Sequence, residues 1–404
     1  MALGLYVSVP FCRTKCSYCN FASDVFSRAV FTKYVERVCT DIQHTTSTDG
    51  PLAQSATREV DSVYLGGGTP TVLDSLQLER IFVTIRQEFC LLPEAEITVE
   101  CAPGTLGAPV LETLLRCGVN RFSLGVQSFV DQEAASVGRL HKRTTVHDDI
   151  ARLRAAGILN INVDLIAGLP HQTAQSWELS IAETIATGAP HASVYMLEVD
   201  GDSHLGRELM AGGTRYHAHF VPDEELTADL YLAACERLHT AGIQQYEISN
   251  FARPGFESRH NLKYWTRQPY LGFGVDAHSM LPIADALADQ GIRTTLVDAV
   301  RWSTPDQLEE YVAGKPGPSG AVTSQAALEE SFFLGLRLNR GVLLHDLEQR
   351  FGAASLRPLD DVIALTVADG LLEKTDDTLR LTPRGRLLSN EVFERFLGEP
   401  TRAI

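Results

Sequence analysis

The chain has 404 residues, 44% of them hydrophobic and 21% charged, which is enough for one large core and a smaller second domain of ordinary globular composition. The formal net charge of −16 argues against broad nucleic-acid binding, which depends on Lys and Arg that neutralise phosphates. No apolar stretch approaches a membrane span and no basic leader precedes the first motif, so we expect a cytoplasmic protein without a cleaved targeting peptide.

Short apolar runs of strand type alternate with helix-length segments through the first half of the chain. Such alternation predicts parallel strands joined by crossover helices. Six units predict an α/β fold built on an open or partial (β/α)6 barrel rather than the full eight. The predicted strands are Leu5–Val9, Val60–Leu65, Glu96–Glu100, Arg121–Leu124, Ile161–Ile166 and Ser193–Leu197; the predicted helices are Ala29–Gln43, Leu76–Phe89, Pro109–Arg116 and Val146–Ala156.

Three cysteines with C-x3-C-x2-C spacing follow the first predicted strand, at Cys12, Cys16 and Cys19. Thiolates are the usual ligands of iron–sulfur clusters, and a cubane cluster normally takes four. The position two residues after Cys19 is Phe21, so a neighbouring fourth cysteine is absent. Three thiolates leave one iron open for a substrate or cofactor, as a catalytic zinc keeps one position free. The alternatives are a zinc knot, for which no second ligand pair follows locally, or three unrelated buried cysteines.

Further polar and glycine-rich sequences fall at or near the ends of the next predicted strands, where a β/α barrel places its reactive groups. A triple glycine lets a ligand approach the backbone closely, although a tight turn explains it equally well. Burying a lone Asp in an apolar strand is costly without a partner. Together these side chains would line a pocket for a nucleoside linked to an amino acid, because carboxylates and amides accept ribose hydroxyls and Arg holds a carboxylate. The residues concerned are Gly66–Pro70, Glu100, Gln127, Arg139 and Asp164.

The alternation stops after Ala241. The run from Tyr246 to Ser279, rich in Gly, His, Asn and aromatics, is typical of functional loop more than of core, and residues 314–320 are typical of a linker. The remainder predicts helices and a hairpin turning at Asp376-Asp377, which together resemble a winged helix. Its acidic balance does not favour DNA binding. We therefore expect a barrel over residues 1–240, a connecting region over 241–320 and a winged-helix-like domain over 321–404.

A second candidate site is the stretch His260-Asn261-Leu262-Lys263-Tyr264-Trp265. An imidazole beside large aromatics can ligate heme iron and pack the macrocycle, although on residue types alone a core histidine that anchors a loop is the better interpretation. His141 and His278 are similarly ambiguous. Cysteines in helix-like stretches are most simply buried hydrophobes, and the role of Cys101, beside Glu100, stays open. Those helix-like cysteines are Cys39, Cys90, Cys117 and Cys235.

With these residues in place, the chain resembles the radical S-adenosylmethionine superfamily. Within it, the chain resembles the branch that contains oxygen-independent coproporphyrinogen III oxidase and the HemW family of heme chaperones. The cluster motif in this context is highly specific, whereas the glycine loop alone is not. The matching segments are Pro10 to Phe21, Gly66–Pro70, Gly125–Phe129, Asp164–Pro170, Glu247 to Trp265 and Tyr270 to Gly274, with the C-terminal helices matching less specifically.

The resemblance implies a [4Fe–4S] cluster on the three cysteines, with S-adenosylmethionine chelated at the open iron. One-electron reduction of the cluster would then cleave the sulfonium and release a 5′-deoxyadenosyl radical. The family's contacts with S-adenosylmethionine, of which the oxidase binds two molecules, carry over to Tyr6, Tyr18, Gly67, Gly68, Thr69, Glu100, Gln127, Arg139 and Asp164.

The two branches differ at the position of Phe21, where the oxidase pattern has a fourth cysteine and the chaperone does not. The stretch from His260 to Trp265 fits the chaperone's H-N-x-x-Y-W pattern, which is implicated in heme binding; this makes His260, Asn261, Tyr264 and Trp265 heme candidates. The resemblance thus implies a heme chaperone that delivers heme to respiratory heme proteins, with an electron donor if S-adenosylmethionine is cleaved, and it leaves room for a homodimer. No residue is assigned a catalytic role.

Two other functions stay open at this point. The first is the oxidative decarboxylation of coproporphyrinogen III to protoporphyrinogen IX, against which Phe21 counts. The second is radical modification of tRNA. The acidic charge and the lack of an added basic domain count against this second function.

Overall fold

The computed structural model describes residues 1–52, 58–201, 203–283 and 297–397. The predicted barrel, connecting region and C-terminal domain each therefore extend over some residues outside this set, namely 53–57 and 202, 284–296, and 398–404. No helix of the described residues is long and apolar enough to cross a membrane.

The first six strands, β1 to β6, pair in parallel and in chain order, with helices between them. This confirms the predicted α/β fold, and every predicted strand overlaps an observed one. The elements are β1 Leu3–Val9, α1 Phe31–Thr46, β2 Glu59–Gly67, α2 Ser75–Glu88, β3 Cys90–Cys101, α3 Ala108–Arg116, β4 Arg121–Gln127, α4 Asp131–Ser136, α5 Arg143–Ala155, β5 Asn160–Ala167, α6 Ala174–Thr187 and β6 His191–Met196.

The chain continues into both edges of the same sheet and then into a separate small sheet. The elements are α7 His204–Ala211, α8 Glu224–Thr240, β7 Gln244–Gln245, β8 Asn250–Ala252, α9 Arg259–Trp265, β9 Tyr270–Gly274, β10 His278–Pro282, β11 Val297–Ser303, α10 Leu308–Val312, β12 Ser319–Thr323, α11 Ser324–Gly335, β13 Val342–Leu343, α12 Leu344–Phe351, α13 Ala353–Leu356, α14 Asp360–Ala368, β14 Leu372–Thr375, β15 Thr378–Leu381, α15 Pro383–Leu387 and α16 Ser389–Glu394. The large sheet has twelve strands in the order β12-β11-β10-β9-β1-β2-β3-β4-β5-β6-β8-β7. Over the described ranges this sheet does not close.

The two faces of the parallel strands differ in chemistry. In β4, Phe122, Leu124 and Val126 are fully buried in the main hydrophobic core, while Ser123 and Gln127 line an internal cavity. Successive side chains of a strand point to opposite faces, so one set packs against the helices and the other enters the barrel interior. The interior of a (β/α)8 barrel is normally filled with branched apolar residues. In this protein the barrel interior is polar, which indicates a ligand-binding cavity.

The expectation that residues 246–279 form mainly a functional loop is wrong. Strand β9 within this run pairs in parallel with β1, so that residues 270–274 lie beside residues 4–8. Leu271 and Phe273 are buried in the main core. Gly274 has a φ of +95°, and a Cβ there would lie 2.3 Å from the carbonyl oxygen of Ser8. The many glycines of this run therefore reflect close strand packing as well as loop structure.

The C-terminal part folds around its own core. Its sheet has the order β13-β15-β14, and β14 and β15 form the hairpin predicted at Asp376-Asp377, where Asp376 has a φ of 51°. Residues 314–320, predicted as a linker, end in the edge strand β12, which pairs with β11. A bridge between Glu247 and Leu338 and the packing of Ile248 into the C-terminal core hold this part against the barrel.

Candidate functional site

A cavity of about 570 Å³ occupies the barrel interior, under the loops that follow the parallel strands. Its wall combines the cysteine loop with side chains from β2 to β6, from α9 and from the C-terminal part. This arrangement agrees with the rule that barrel sites form at the carboxyl ends of strands. The sequence-predicted residues that line it are Cys12, Cys16, Cys19, Tyr18, Gly67, Thr69, Glu100, Gln127, Arg139, Asp164 and Asn261.

The cysteine loop is held at the mouth of β1 by packing and by backbone hydrogen bonds. Phe11 is fully buried and stacks on Phe31 with ring centroids 3.9 Å apart. The N–H of Cys12 donates to the carbonyl of Asp24 at 3.0 Å, and the N–H of Ser17 donates to the carbonyl of Val137 at 3.2 Å. These contacts fix both ends of the motif so that all three thiols face the cavity.

The three thiols are free and partly buried. Burial raises the pKa of Cys12 and of Cys19, while the hydroxyl of Thr69, 3.9 Å from the Cys12 sulfur, favours the thiolate. A bound metal centre removes the thiol protons, and its positive charge offsets the cost of burying the thiolates.

The donor set fits a cluster better than a single ion. A zinc knot requires its ligands to converge on one metal position. Within the described ranges, no three Cys, His, Asp or Glu side chains converge in this way. In a cubane cluster each thiolate binds a different iron, so the sulfurs need not converge. Phe21, at the position of the missing fourth cysteine, also lines the cavity and is 63% exposed.

The triple glycine allows β2 to approach the cysteine loop. Gly67 has a φ of +93°, and a Cβ on Gly68 would lie 2.8 Å from the carbonyl oxygens of Val9 and Phe11. Gly67 reaches the cavity, whereas Gly68 packs behind the cysteine loop, 3.1 Å from the Cys12 sulfur by the same measure. Gly68 therefore allows the close packing of the turn, and the adjacent Gly67 leaves room for a ligand.

Glu100 and Asp164 are the two carboxylic acids predicted on the strands, and both are partly buried in the cavity wall. The hydroxyl of Tyr64 donates to Glu100 at 2.7 Å. Burial, as the main cause, raises the pKa of Glu100 to about 7. Asp164 accepts hydrogen bonds from Asn162 at 2.6 Å and from Ser123 at 3.2 Å, yet burial still raises its pKa.

Arg139 and Gln127 line the same cavity as these carboxylic acids. The Arg139 guanidinium donates to the hydroxyl of Tyr18 at 3.2 Å, and its buried Nε has no partner among the described residues. Gly125 makes room for it, since a Cβ there would lie 3.2 Å from the guanidinium. Gln127 has a φ of 69°, an uncommon conformation for a residue other than glycine and one that concentrates at functional sites.

Tyr6 is placed differently from the sequence expectation. It is enclosed behind the cavity wall, where its ring lies 6.1 Å from that of Tyr64 and 6.2 Å from that of His260. Burial raises its pKa. Its contact with S-adenosylmethionine stays a prediction, and in this structure Tyr6 supports Tyr64 from behind.

The proposed heme segment forms α9, of which only Asn261 reaches the cavity. His260 is 1% exposed. Its Nδ1 lies 3.1 Å from the hydroxyl of Ser62 and its Nε2 lies 2.9 Å from the hydroxyl of Tyr264. Burial lowers its pKa to about 3, so the ring is neutral. With both nitrogens hydrogen-bonded, His260 is not available to iron in this conformation, and its heme-binding role stays a prediction.

The remaining histidines and cysteines differ in exposure and in their distance from the cavity. His141 lines the cavity, and burial lowers its pKa to about 4, whereas His278 is exposed beside Asp276. Cys101 is buried at the cavity wall with its thiol 3.6 Å from the carbonyl of Ser123. Cys39 and Cys117 are buried and Cys235 is partly buried, but Cys90 is exposed at the start of β3, so its interpretation as a buried helix residue is wrong.

Sequence reasoning missed a polar network on the inner faces of the strands. The side chain of Asn162 donates to Ser123 and Ser193 and accepts from His191 at 2.6 Å. The other nitrogen of His191 lies 3.0 Å from the hydroxyl of Tyr246. The available signal was the alternation of polar with apolar residues inside strands. The missed residues are Tyr64, Arg121, Ser123, Asn162, His191, Ser193, Asn250 and Arg337.

Comparisons with known proteins agree with this geometry. Residues 6–183 match the Radical SAM superfamily and residues 322–388 match the HemN C-terminal domain. The chain is 34% identical to Heme chaperone HemW of Bacillus subtilis over 98% of this chain and 99% of that protein. It is 35% identical to Heme chaperone HemW of Synechocystis over 85% and 79%. The structure of coproporphyrinogen III oxidase (HemN) from Escherichia coli, a radical SAM enzyme, aligns with a TM-score of 0.80 at 23% identity over 98% of this chain and 90% of that chain.

Replacement of Cys12, Cys16 or Cys19 with Ser should remove most of the iron and sulfide taken up in anaerobic reconstitution, because each thiolate is one of three cluster ligands. Cys90→Ser is the matched control, since Cys90 is exposed and lies outside the cavity. Metal analysis and the visible absorbance spectrum provide the measurement. A triad variant that binds as much iron as the Cys90→Ser variant contradicts the assignment.

Replacement of Glu100 with Gln should stabilise the ligand-free protein at alkaline pH. The folded protein holds the Glu100 proton more tightly than the unfolded chain, so the cost of burying the carboxylate grows from pH 4.5 to about pH 7 and persists above it. We expect a gain of up to about 3 kcal/mol in the free energy of unfolding at pH 8, shrinking as the pH falls towards 5.

Thermal unfolding across this pH range measures the effect. Glu36→Gln is the control, because Glu36 is an exposed carboxylate that pairs with Arg80 on the outer surface. Equal unfolding midpoints for Glu100→Gln and the wild type at pH 8 would show that Glu100 carries no burial cost.

Proposed function

Because this chain belongs to the Heme chaperone HemW family of the radical S-adenosylmethionine superfamily, we propose that it binds heme and delivers it to heme proteins. The observation that carries this proposal is similarity to heme chaperones over nearly the whole chain. Phe21, where the oxidase pattern has a cysteine, supports the same choice. The likeness to the coproporphyrinogen oxidase structure reflects the shared fold.

The superfamily implies a [4Fe–4S] cluster and S-adenosylmethionine, and the residues present fit both. Cys12, Cys16 and Cys19 would hold the cluster. When reduced, such a cluster supplies the electron that cleaves the sulfonium of S-adenosylmethionine. The proposed heme-chaperone function can operate with or without cleavage of S-adenosylmethionine. An electron donor is a proposed partner only if S-adenosylmethionine is cleaved.

The chain's own residues would hold and orient S-adenosylmethionine. Arg139 offers a guanidinium with an unpartnered Nε to a carboxylate. Asp164 and Gln127 offer acceptors to ribose hydroxyls. Glu100, with its pKa near 7, can take up or release a proton at neutral pH. Tyr18 and Thr69 brace the guanidinium and the cysteine loop through the contacts described above.

Heme is the cargo, and α9 supplies candidate contacts. Asn261 reaches the cavity. His260 and Tyr264 lie behind it, and we propose that they position α9 against β2 through the hydrogen bond to Ser62. Respiratory heme proteins are the proposed acceptors, and a homodimer is a proposed assembly.

Parallel anaerobic titration of the reconstituted protein with heme and with coproporphyrinogen III should separate chaperone from oxidase. We expect a saturable change in the Soret band with heme, followed by transfer to a heme-free acceptor protein. We expect no protoporphyrinogen IX from coproporphyrinogen III in the presence of S-adenosylmethionine and a reductant. Repeated turnover to that product would overturn the chaperone assignment.

Replacement of His260 with Ala should lower the rate of heme transfer and leave the cluster spectrum unchanged, because His260 positions α9 without touching the cluster. The Soret maximum of bound heme should stay where it is in the wild type, since the buried ring does not ligate iron. His278→Ala is the control at an exposed histidine. A shifted Soret maximum in His260→Ala would identify His260 as an iron ligand, and a lost cluster would refute its assignment to heme.

A further inference from the structure

Two arginines that line the cavity, Arg121 and Arg337, carry buried hydrogen-bond donors without acceptors in the part of the chain that the structure describes. Arg121 begins β4 and Gln127 ends it, so the two residues lie about 20 Å apart along the strand. Within the described ranges, the buried side-chain atoms without a partner include Nε and Nη2 of Arg121 and Nε of Arg337. Both arginines line the cavity.

Arg121 is a buried cation that makes poor use of its hydrogen-bonding capacity. Its side chain is 2% exposed, and Nε lies 3.7 Å from Oε2 of Glu96, beyond hydrogen-bond distance. Glu96 already accepts the backbone N–H of His260 at 3.3 Å. A buried guanidinium without hydrogen bonds is costly, so an occupant of the cavity that accepts from Arg121 is strongly favoured.

Arg337 reaches the same end of the cavity from the C-terminal part. Its guanidinium lies 4.3 Å from the centre of the Trp265 ring, and Nη2 lies 3.8 Å from Oε2 of Glu247. Glu247 accepts instead from the N–H of Ser249 at 3.2 Å and from the amide of Asn250. A guanidinium stacked on an indole keeps its edge free for contacts in its own plane. Arg337 is therefore preorganised for a planar acceptor.

Both arginines lie beside α9. Arg121 pairs with Glu96, which accepts from the backbone of His260, and Arg337 stacks on Trp265 of the same helix. Asn261 lies at the same end and adds a polar amide. Within the described ranges, the two arginines carry three buried donor atoms without a partner, Nε and Nη2 of Arg121 and Nε of Arg337, which favours an anion at this end. A carboxylate matches it best, because it accepts in-plane bidentate hydrogen bonds.

We propose that this end of the cavity binds a propionate of heme, with Arg121 and Arg337 as the carboxylate-binding residues. The inference rests on the proposed heme-chaperone function and deepens it. Heme is recognised here through its carboxylate edge, and recognition does not require His260 as an iron ligand. The amino-acid carboxylate of S-adenosylmethionine belongs at the other end, beside Arg139.

Heme and heme dimethyl ester, titrated separately into the reconstituted full-length protein saturated with S-adenosylmethionine, provide the test. The ester keeps the macrocycle and the iron but lacks the carboxylate charge. Charge-assisted hydrogen bonds of this kind lead us to expect about tenfold to a hundredfold tighter binding of the free acid by the wild type. The Soret band reports both affinities.

Arg337→Gln and Arg121→Gln should each reduce this preference for the free acid about tenfold, while the affinity for the ester and for S-adenosylmethionine stays unchanged. Arg143→Gln is the matched control, because Arg143 pairs with Glu183 on the outer surface. Circular dichroism and the cluster spectrum check folding. If Arg121→Gln does not fold, Arg337→Gln, whose side chain is 25% exposed, and the ester comparison still decide.

Three results would count against the inference in distinguishable ways. Equal affinity of the wild type for acid and ester overturns it and leaves the chaperone function intact. Weaker binding of S-adenosylmethionine but not of heme in the two variants overturns it in favour of an amino-acid carboxylate at this site. Failure of the wild type to bind heme at all refutes the proposed function on which it rests.

Discussion

The structure depends on a chemical difference between the two faces of each parallel strand, one apolar and one polar. Apolar side chains on one face pack under the helices and form the main hydrophobic core. The inner face is then free to carry carboxylates, amides and guanidinium groups. Where those groups are buried, they need hydrogen-bond partners inside the protein or from a ligand. The cavity is thus specified by a requirement for hydrogen-bond partners as much as by shape.

The return of the chain to the first strand completes this arrangement. Strand β9 lies beside β1, opposite β2, and α9 closes over the inner side chains of β1 and β2. His260 is pressed between Tyr64 and Tyr264, and Tyr64 in turn holds Glu100. Histidine is a residue type that suggests iron ligation. In this structure His260 connects α9 to β2 and, through Tyr64, to the cofactor end of the cavity.

The sequence predicted the fold, and several of its candidate site residues reach the cavity, because parallel strands bring loop residues to one edge. Cys12 follows β1, Glu100 lies near the end of β3 and Asp164 lies within β5, and all three reach the cavity. Arg121 was missed because it begins its strand, whereas the sites of barrel proteins are expected at the carboxyl ends of strands. Arg337 was missed because only tertiary packing brings it from the C-terminal part. Residue types alone also do not reveal that both nitrogens of His260 are already hydrogen-bonded.

The bridge between Glu247 and Leu338 places Arg337, from one folding unit, in the wall of a cavity built mainly by another. A ligand that contacts Arg337 must therefore favour the docked arrangement of the two units over a separated one. By thermodynamic reciprocity, the factor by which the bound ligand favours docking equals the factor by which docking strengthens ligand binding. Undocking of the C-terminal unit would in this way release the ligand at a distance, without any contact inside the cavity.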